Sequence, residues 1–485
     1  MLYLLLFILF SEHSLYTNAQ KPLQSYGALP SERQLSWQET EVYGLIHFTP
    51  TTFENKEWGY GDADPSLFNP LHFDANQIIA AAKSGGLKGL ILVAKHHDGF
   101  CLWPTQTTPY NISKSPWRSG KGDMVKEVEQ ACRKAGLKFG IYCSPWDRNN
   151  PNYGKPEYLE IYRAQLKELY TSYGPLFMSW HDGANGGDGY YGGARETRKI
   201  DNTTYYDWTN TWNKITRVLQ PGANIFSDIG LDVRWVGNEK GFAAETHWAS
   251  FDPEPETGTI AVPGNVNTRT SSQGTRFGKL WIPAECDVPL RPGWFYHPEQ
   301  DGKEKTTAQL VDLYFKSVGR GACLDLGLAP TPEGLLHAND VRVLKEFGEQ
   351  IKNTFKNNLI HGATLHASHT RSPSDQVKNL TDGNRYSYWA TPDSIHSASI
   401  EIHFKNSTTF DIIQFRENIK LGQRIDKTTV EVLDEGSWRL LTAVTTIGAN
   451  RLIHLDRPVK STALKISFEA PVALCIGEIG VYTMQ

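Results

Sequence analysis

The chain has 485 residues, 39% hydrophobic and 21% charged, with a formal net charge of −4 and a pI near 6.4. That length predicts more than one domain, and the composition is that of a globular protein. The slight acidity excludes a basic nucleic-acid binder and a polybasic membrane-surface protein.

Residues 1–10, MLYLLLFILF, form an apolar run followed by small and polar residues up to Ala19. The pattern is that of a signal peptide over residues 1–19, cleaved near Ala19, and it predicts an exported protein, secreted or periplasmic. The run is too short to cross a bilayer, and no later stretch reads as a transmembrane segment. The six cysteines (Cys101, Cys132, Cys143, Cys286, Cys323 and Cys475) show no metal-ligand spacing and read as buried free thiols. Sequons stand at Asn111, Asn202, Asn379 and Asn406.

Beyond the leader, short apolar strands alternate with helical patterns. Strands are predicted at Val42–Phe48, Gly89–Lys95, Lys138–Ser144, Pro175–Trp180, Asn224–Ser227, Leu280–Pro283 and Cys323–Leu326. Helices are predicted at Ala75–Ser84, Asp123–Ala135, Tyr158–Tyr170, Trp212–Leu219, Thr306–Val318 and Ala338–Lys356. This β-α repeat defines an α/β fold, and six or more units suit a (β/α)8-like barrel over residues 20–356. From residue 357 to 485 the texture changes to alternating runs such as ASIEIHF and ALKISFE, which read as an all-β sandwich domain.

In a parallel barrel the chemistry gathers where strands end and βα loops begin. His47, His96-His97-Asp98, Tyr142, Asp182 and Asp228 fall at such ends, and Glu285 follows the WIP strand. Asp182 followed by Gly183 suits a carboxylate exposed to a ligand. A retaining glycosidase needs a second carboxylate about 5–5.5 Å away, and the chain offers Glu239 and Glu245 on the next long loop. The segment Glu57-Trp58-Gly59-Tyr60 couples a carboxylate to an aromatic plate, a way of gripping a pyranose. The His96-His97 pair lacks a third ligand at metal spacing, so it reads as a donor to sugar hydroxyls. No dinucleotide, phosphate-loop or nucleophile-elbow motif is present.

Taken in order, GLIHF, EWGYGD, AKHHDGF, LKFGIYCSPWD, WHDG, RWVGNE and WIPAECD…GWFY resemble glycoside hydrolase family 29, the α-L-fucosidases, over residues about 37 to 350. RWVGNE resembles the subgroup preferring α-1,3- and α-1,4-linked fucose. The tail, with LTDGNRYSYWATP, resembles a discoidin-like (factor 5/8 type C) domain, a fold often used to bind carbohydrate. The resemblance implies a retaining exo-acting enzyme that releases terminal L-fucose from oligosaccharides or glycoprotein glycans. It implies no metal and no organic cofactor. It makes Asp182 the nucleophile and Glu239 the acid/base, with Glu245 as the alternative. It makes His47, Glu57, His96, His97, Tyr142 and Trp180 substrate contacts, joined by Trp58, Glu285 and Trp294. His181 stands where many family members carry Phe, which raises the question of how apolar the floor of the site is. Two other readings stay open: a non-catalytic, lectin-like sugar binder, and a barrel glycosidase for another sugar.

Overall fold

The computed structural model describes residues 22–183, 186–200 and 207–485; the leader expected over residues 1–19 and the Asn202 sequon lie outside them. Eight parallel strands close into a barrel in chain order: β1 (Val42–Ile46), β2 (Gly89–Lys95), β3 (Lys138–Cys143), β4 (Met178–Trp180), β5 (Asn224–Ser227), β6 (Val233–Trp235), β7 (Ala284–Pro289) and β8 (Cys323–Leu328), with β8 pairing back onto β1.

The helices form where the sequence supplies start and stop signals. Asp74 caps the helix Ala75–Ser84 by accepting from Asn76 N, and Asp123 caps Met124–Ala135, which Gly136 ends in the left-handed region at φ 74°. Pro156 opens the helix Pro156–Ser172 at a position where no N–H is needed. Thr306 and Gln309 form a capping box at the start of Thr307–Lys316. These helices and Ala338–Thr354 bury one face against the outside of the strands, in a core that includes Ile46, Leu92, Ile141 and Leu326. Alternate residues point inward, where Tyr43, Leu45, Ile91, Tyr142, Trp180, Phe226 and Val233 pack together.

Two expectations need correction. The Leu280–Pro283 segment is not a barrel strand: Leu280–Trp281 pairs antiparallel with Ser250–Phe251 outside the barrel, and the seventh strand begins at Ala284. Glu285 therefore lies within that strand, not after it. A further strand, β6, joins β5 through only five residues. Gly230 makes that turn possible, because a Cβ there would stand 2.3 Å from Ile225 O and 2.5 Å from Val233 O.

The C-terminal region is a seven-stranded antiparallel sheet. Its long strands Ser397–Glu417 and Arg451–Glu469 shift register between His403 and Thr408 and again between Phe410 and Ile412. Such irregularities bend the ribbon, so its first half pairs with Lys427–Asp434 and its second with Cys475–Tyr482. The faces enclose Ile400, Phe410, Phe415, Ile466, Phe468 and Trp389. Trp389 is thus a core residue, its indole donating to His369 O at 2.9 Å. Among the described residues no helix is long and apolar enough to cross a membrane.

Candidate active site

A cavity of about 510 Å³ opens at the C-terminal ends of the barrel strands. Asp182 lies on its wall, two residues past β4. The Tyr142 hydroxyl donates to Asp182 Oδ2 at 2.9 Å, and His97 Nε2 stands 3.5 Å from the same oxygen. Burial, reinforced by the charge on Asp182, pushes the Tyr142 phenol well above its usual range, so it stays a donor. His97 Nδ1 pairs with Ser144 Oγ at 2.7 Å, which fixes the ring and suits the tautomer with its proton on Nε2, facing Asp182.

His96 and His97 both line the cavity. On a continuing strand they would face opposite ways, but β2 ends at Lys95 and the pair lies in the loop beyond it. Their rings sit 4.1 Å apart, and His47 from the end of β1 lies 5.4 Å from His96. Burial lowers His47 to about 3 and holds His96 and His97 well below the usual histidine range. The three are neutral hydrogen-bonding groups near pH 7, suited to sugar hydroxyls and poorly suited to binding an anion.

The aromatic walls are set by packing. Trp180 stacks on Phe226 at 4.2 Å and donates its indole N–H to Glu285 at 2.7 Å. Trp58 is 51% exposed and meets His97 and Trp146 edge-on. Trp294 lies 5.1 Å from His47. Glu57 joins the β1 and β7 loops: it accepts from the backbone N–H of Trp294 and pairs with His297 Nε2 at 3.0 Å.

Glu239, four residues past β6, lines the same cavity as Asp182. Glu245 does not. Its carboxylate is held between Arg320 and Arg451, in a separate cleft against the helix Thr307–Lys316 and the C-terminal domain. Glu285 is also absent from the cavity wall. It is fully buried beneath it, where Tyr43 and Trp180 donate to its two oxygens. Burial pushes Glu285 up to about 7 and its neighbour Asp325 well above the carboxylate range. Its place is under Trp180, not on the substrate.

The cavity also takes in Asp228, at the strand end expected for it, together with Trp235, Glu256 and Asp287, which the strand-end reading left out. Asp287 accepts from Trp235 Nε1 at 2.7 Å and is pushed well above the carboxylate range by burial, then by Glu285 and Glu239. It sits two residues after Glu285 on one strand face, so period-two alternation in AECD was the signal available for it. Glu256, in a loop without regular pattern, gave none. His181 points away from the cavity. Its ring joins Tyr162 OH at 2.9 Å and Ser179 Oγ at 2.8 Å on the helix side of β4, so the floor of the site stays aromatic. Among the described residues no group of three or more His, Cys, Asp or Glu side chains is placed to hold a metal ion.

Carboxylates facing a shared cavity walled by indoles and neutral donors, on the rim of a parallel barrel, define a glycoside hydrolase. The profile of the Alpha-L-fucosidase family matches residues 22–354, and that of the F5/8 type C domain matches residues 364–476. The chain belongs to the alpha-L-fucosidase family, glycoside hydrolase family 29. It is 40% identical over 461 residues to Alpha-L-fucosidase 1 of Arabidopsis thaliana, covering 94% of this chain and 87% of that one. Among solved structures it is similar to a glycoside hydrolase 29 family member from a rumen bacterium, with 39% identity, TM-score 0.82, and coverage of 95% of this chain and 78% of the other. It is also similar to a Ruminococcus gnavus GH29 fucosidase in complex with fucose, with 31% identity, TM-score 0.85, and coverage of 96% and 97%.

Proposed function

We propose that the protein is a retaining exo-α-L-fucosidase that removes terminal α-1,3- or α-1,4-linked L-fucose from branched oligosaccharides or glycoprotein glycans. The observation that carries this reading is that Asp182 and Glu239 open onto one cavity while Glu245 does not. The cavity has the size expected of a small-ligand site, and a related Ruminococcus gnavus fucosidase is known with fucose bound. RWVGNE supports the linkage preference, and the apolar leader with its Ala19 boundary supports export.

In the first step Asp182 attacks the anomeric carbon as Glu239 gives its proton to the departing glycosidic oxygen. The C–O bond to the leaving sugar breaks and a covalent fucosyl-Asp182 ester forms. Water then gives a proton to Glu239 and attacks the same carbon, releasing L-fucose with net retention. Tyr142 and His97 steady the Asp182 carboxylate from one side. His47, His96, Glu57, Trp58 and Trp294 are positioned to hold the sugar.

The test is turnover of aryl fucosides and of a panel of α-1,2-, α-1,3-, α-1,4- and α-1,6-fucosylated oligosaccharides. Asp182→Ala should abolish activity. Glu239→Ala should lose at least about a hundredfold on oligosaccharides, with azide restoring turnover of an aryl fucoside as α-fucosyl azide. Normal turnover in Asp182→Ala overturns the reading, as does azide rescue of Glu245→Ala in place of Glu239→Ala.

A further inference from the structure

The loop that carries Glu239 does not belong to the barrel alone. It runs from β6 to β7 over residues 236–283. Near its start Val236 N donates to Glu285 O at 3.0 Å, which fixes the chain to the barrel rim. The next backbone tie to the barrel is Ala243 N to Lys316 O, also 3.0 Å. Glu239 thus sits in a short span between two anchors.

The second anchor is completed by the C-terminal domain. Arg451, buried at 4% exposure, donates to the Glu245 backbone carbonyl at 2.6 Å and to its carboxylate at 2.6 Å, while Arg320 takes the other carboxylate oxygen. Thr445 Oγ1 meets Thr246 Oγ1 at 2.9 Å, and His247 N donates to Thr446 Oγ1 at 3.0 Å. The Gln423 amide donates to His247 O at 2.9 Å and accepts from Ala249 N at 2.9 Å, bridging the loop as a neighbouring strand would. Three consecutive loop residues, Glu245 to His247, and Ala249 are therefore gripped by one face of the tail. The His247 and Ala249 amides buried in this way are costly to leave unpaired, so the loop keeps this course only while the tail is docked.

We infer that the C-terminal domain is part of the catalytic unit, and that Arg451 and Gln423 are positioning residues that hold the β6–β7 loop and so set the reach of Glu239 toward the departing oxygen. The inference rests on the reading of Glu239 as acid/base. A displacement of about 1 Å in a proton donor is enough to matter, and the lever from Glu245 to Glu239 is six residues long.

The experiment uses the full chain with Arg451→Gln, and Gln423→Leu as a second lesion in case the first folds poorly. Two substrates separate positioning from general damage: a fucosylated oligosaccharide, whose leaving group needs a proton, and 2,4-dinitrophenyl fucoside, whose leaving group does not. Each variant should lose on the order of tenfold to a hundredfold in kcat/KM on the oligosaccharide, while kcat/KM for the dinitrophenyl substrate, set by a first step that needs no proton from Glu239, stays within about twofold. Backbone amides 237–244 should exchange hydrogen faster, and Arg451→Lys should recover part of the loss. An equal fall on both substrates, or unchanged exchange and turnover in both variants, overturns the inference. If Glu239→Gln itself spares the oligosaccharide while loop exchange still rises in Arg451→Gln, the acid/base reading is what fails, and the tail's hold on the loop stands.

Discussion

Replacing His181 by Phe separates the residue's stability role from any part in the chemistry next door. The ring is buried between β4 and the helix wall, 5.5 Å from the Trp208 ring and 5.7 Å from Trp212. Phe keeps a ring but loses the partners Tyr162 OH and Ser179 Oγ. Two such bonds are worth about 1 kcal/mol each, so the variant should be weaker by about 2 kcal/mol near pH 7. Acid reverses the order. Burial depresses His181 from 6.5 to about 3, so the unfolded chain takes up a proton that the folded chain refuses. The neutral ring's contribution is fully present above pH 6.5 and is lost as pH falls toward 3. By about pH 4.5 the wild type has lost about 2.5 kcal/mol through this group, and Phe has nothing to lose. His47 and His247 are depressed in the same way but act in both chains, so they cancel from the comparison. Urea unfolding followed by tryptophan fluorescence should show the variant behind at neutral pH and level or slightly ahead in acid. Its kcat/KM near pH 7 should stay within about threefold, because the ring does not face the cavity. A stability gap of equal size at both pH values would refute the protonation argument. A loss above about tenfold in a folded variant would refute the placement.

Two further outcomes follow from burial at the site and in the core. Trp58→Ala should raise KM for fucosides by about tenfold, the worth of one sugar-stacking ring, and should leave unfolding within about 0.5 kcal/mol of wild type because the indole is half exposed; an unchanged KM removes Trp58 from the binding surface. All six cysteines are buried, and burial raises the thiols of Cys101, Cys132, Cys143, Cys286, Cys323 and Cys475. Iodoacetamide near pH 8 should therefore neither label nor inhibit the native enzyme, and one rapidly alkylated thiol by mass spectrometry would contradict that.

The barrel was readable wherever strands are apolar and helices are capped. Gly89–Lys95 and Asn224–Ser227 are strands over the predicted residues, and Ala75–Ser84 is the predicted helix. The reading failed at β6 and β7 for one physical reason. Both strands bury charge. Arg234 sits at the middle of β6, fully buried because it donates to the carbonyls of Ser271, Ile282 and Trp248. Glu285 and Asp287 interrupt the apolar run of β7, tolerated because Tyr43, Trp180 and Trp235 donate to them and burial pushes both carboxyls upward, which eases the cost of charge there. The partners that make those residues acceptable inside a barrel come from other strands, so a local pattern reads them as loop. The apolar WIP segment just upstream drew the strand assignment to itself, yet it packs outside the barrel.

The same locality explains why the place of Asp182 on the cavity wall was legible and the choice between Glu239 and Glu245 was not. Asp182 is placed by a strand and by the Gly that follows it, both visible within a few residues. Glu239 and Glu245 stand six residues apart on one loop with no periodicity to orient either, and composition cannot rank them. What separates them is long-range. Glu245 is drawn away by Arg320 and Arg451, 75 and 206 residues downstream, and the second of these belongs to a different domain. Once Glu245 is spoken for, its hold on the tail becomes one of the constraints that leave Glu239 facing the cavity. The residue that competed in sequence for the place opposite Asp182 therefore helps to hold its rival there in space. If Glu239 is the proton donor proposed above, breaking Glu245's ion pairs should lower turnover of fucosylated oligosaccharides, although Glu245 does not line the cavity.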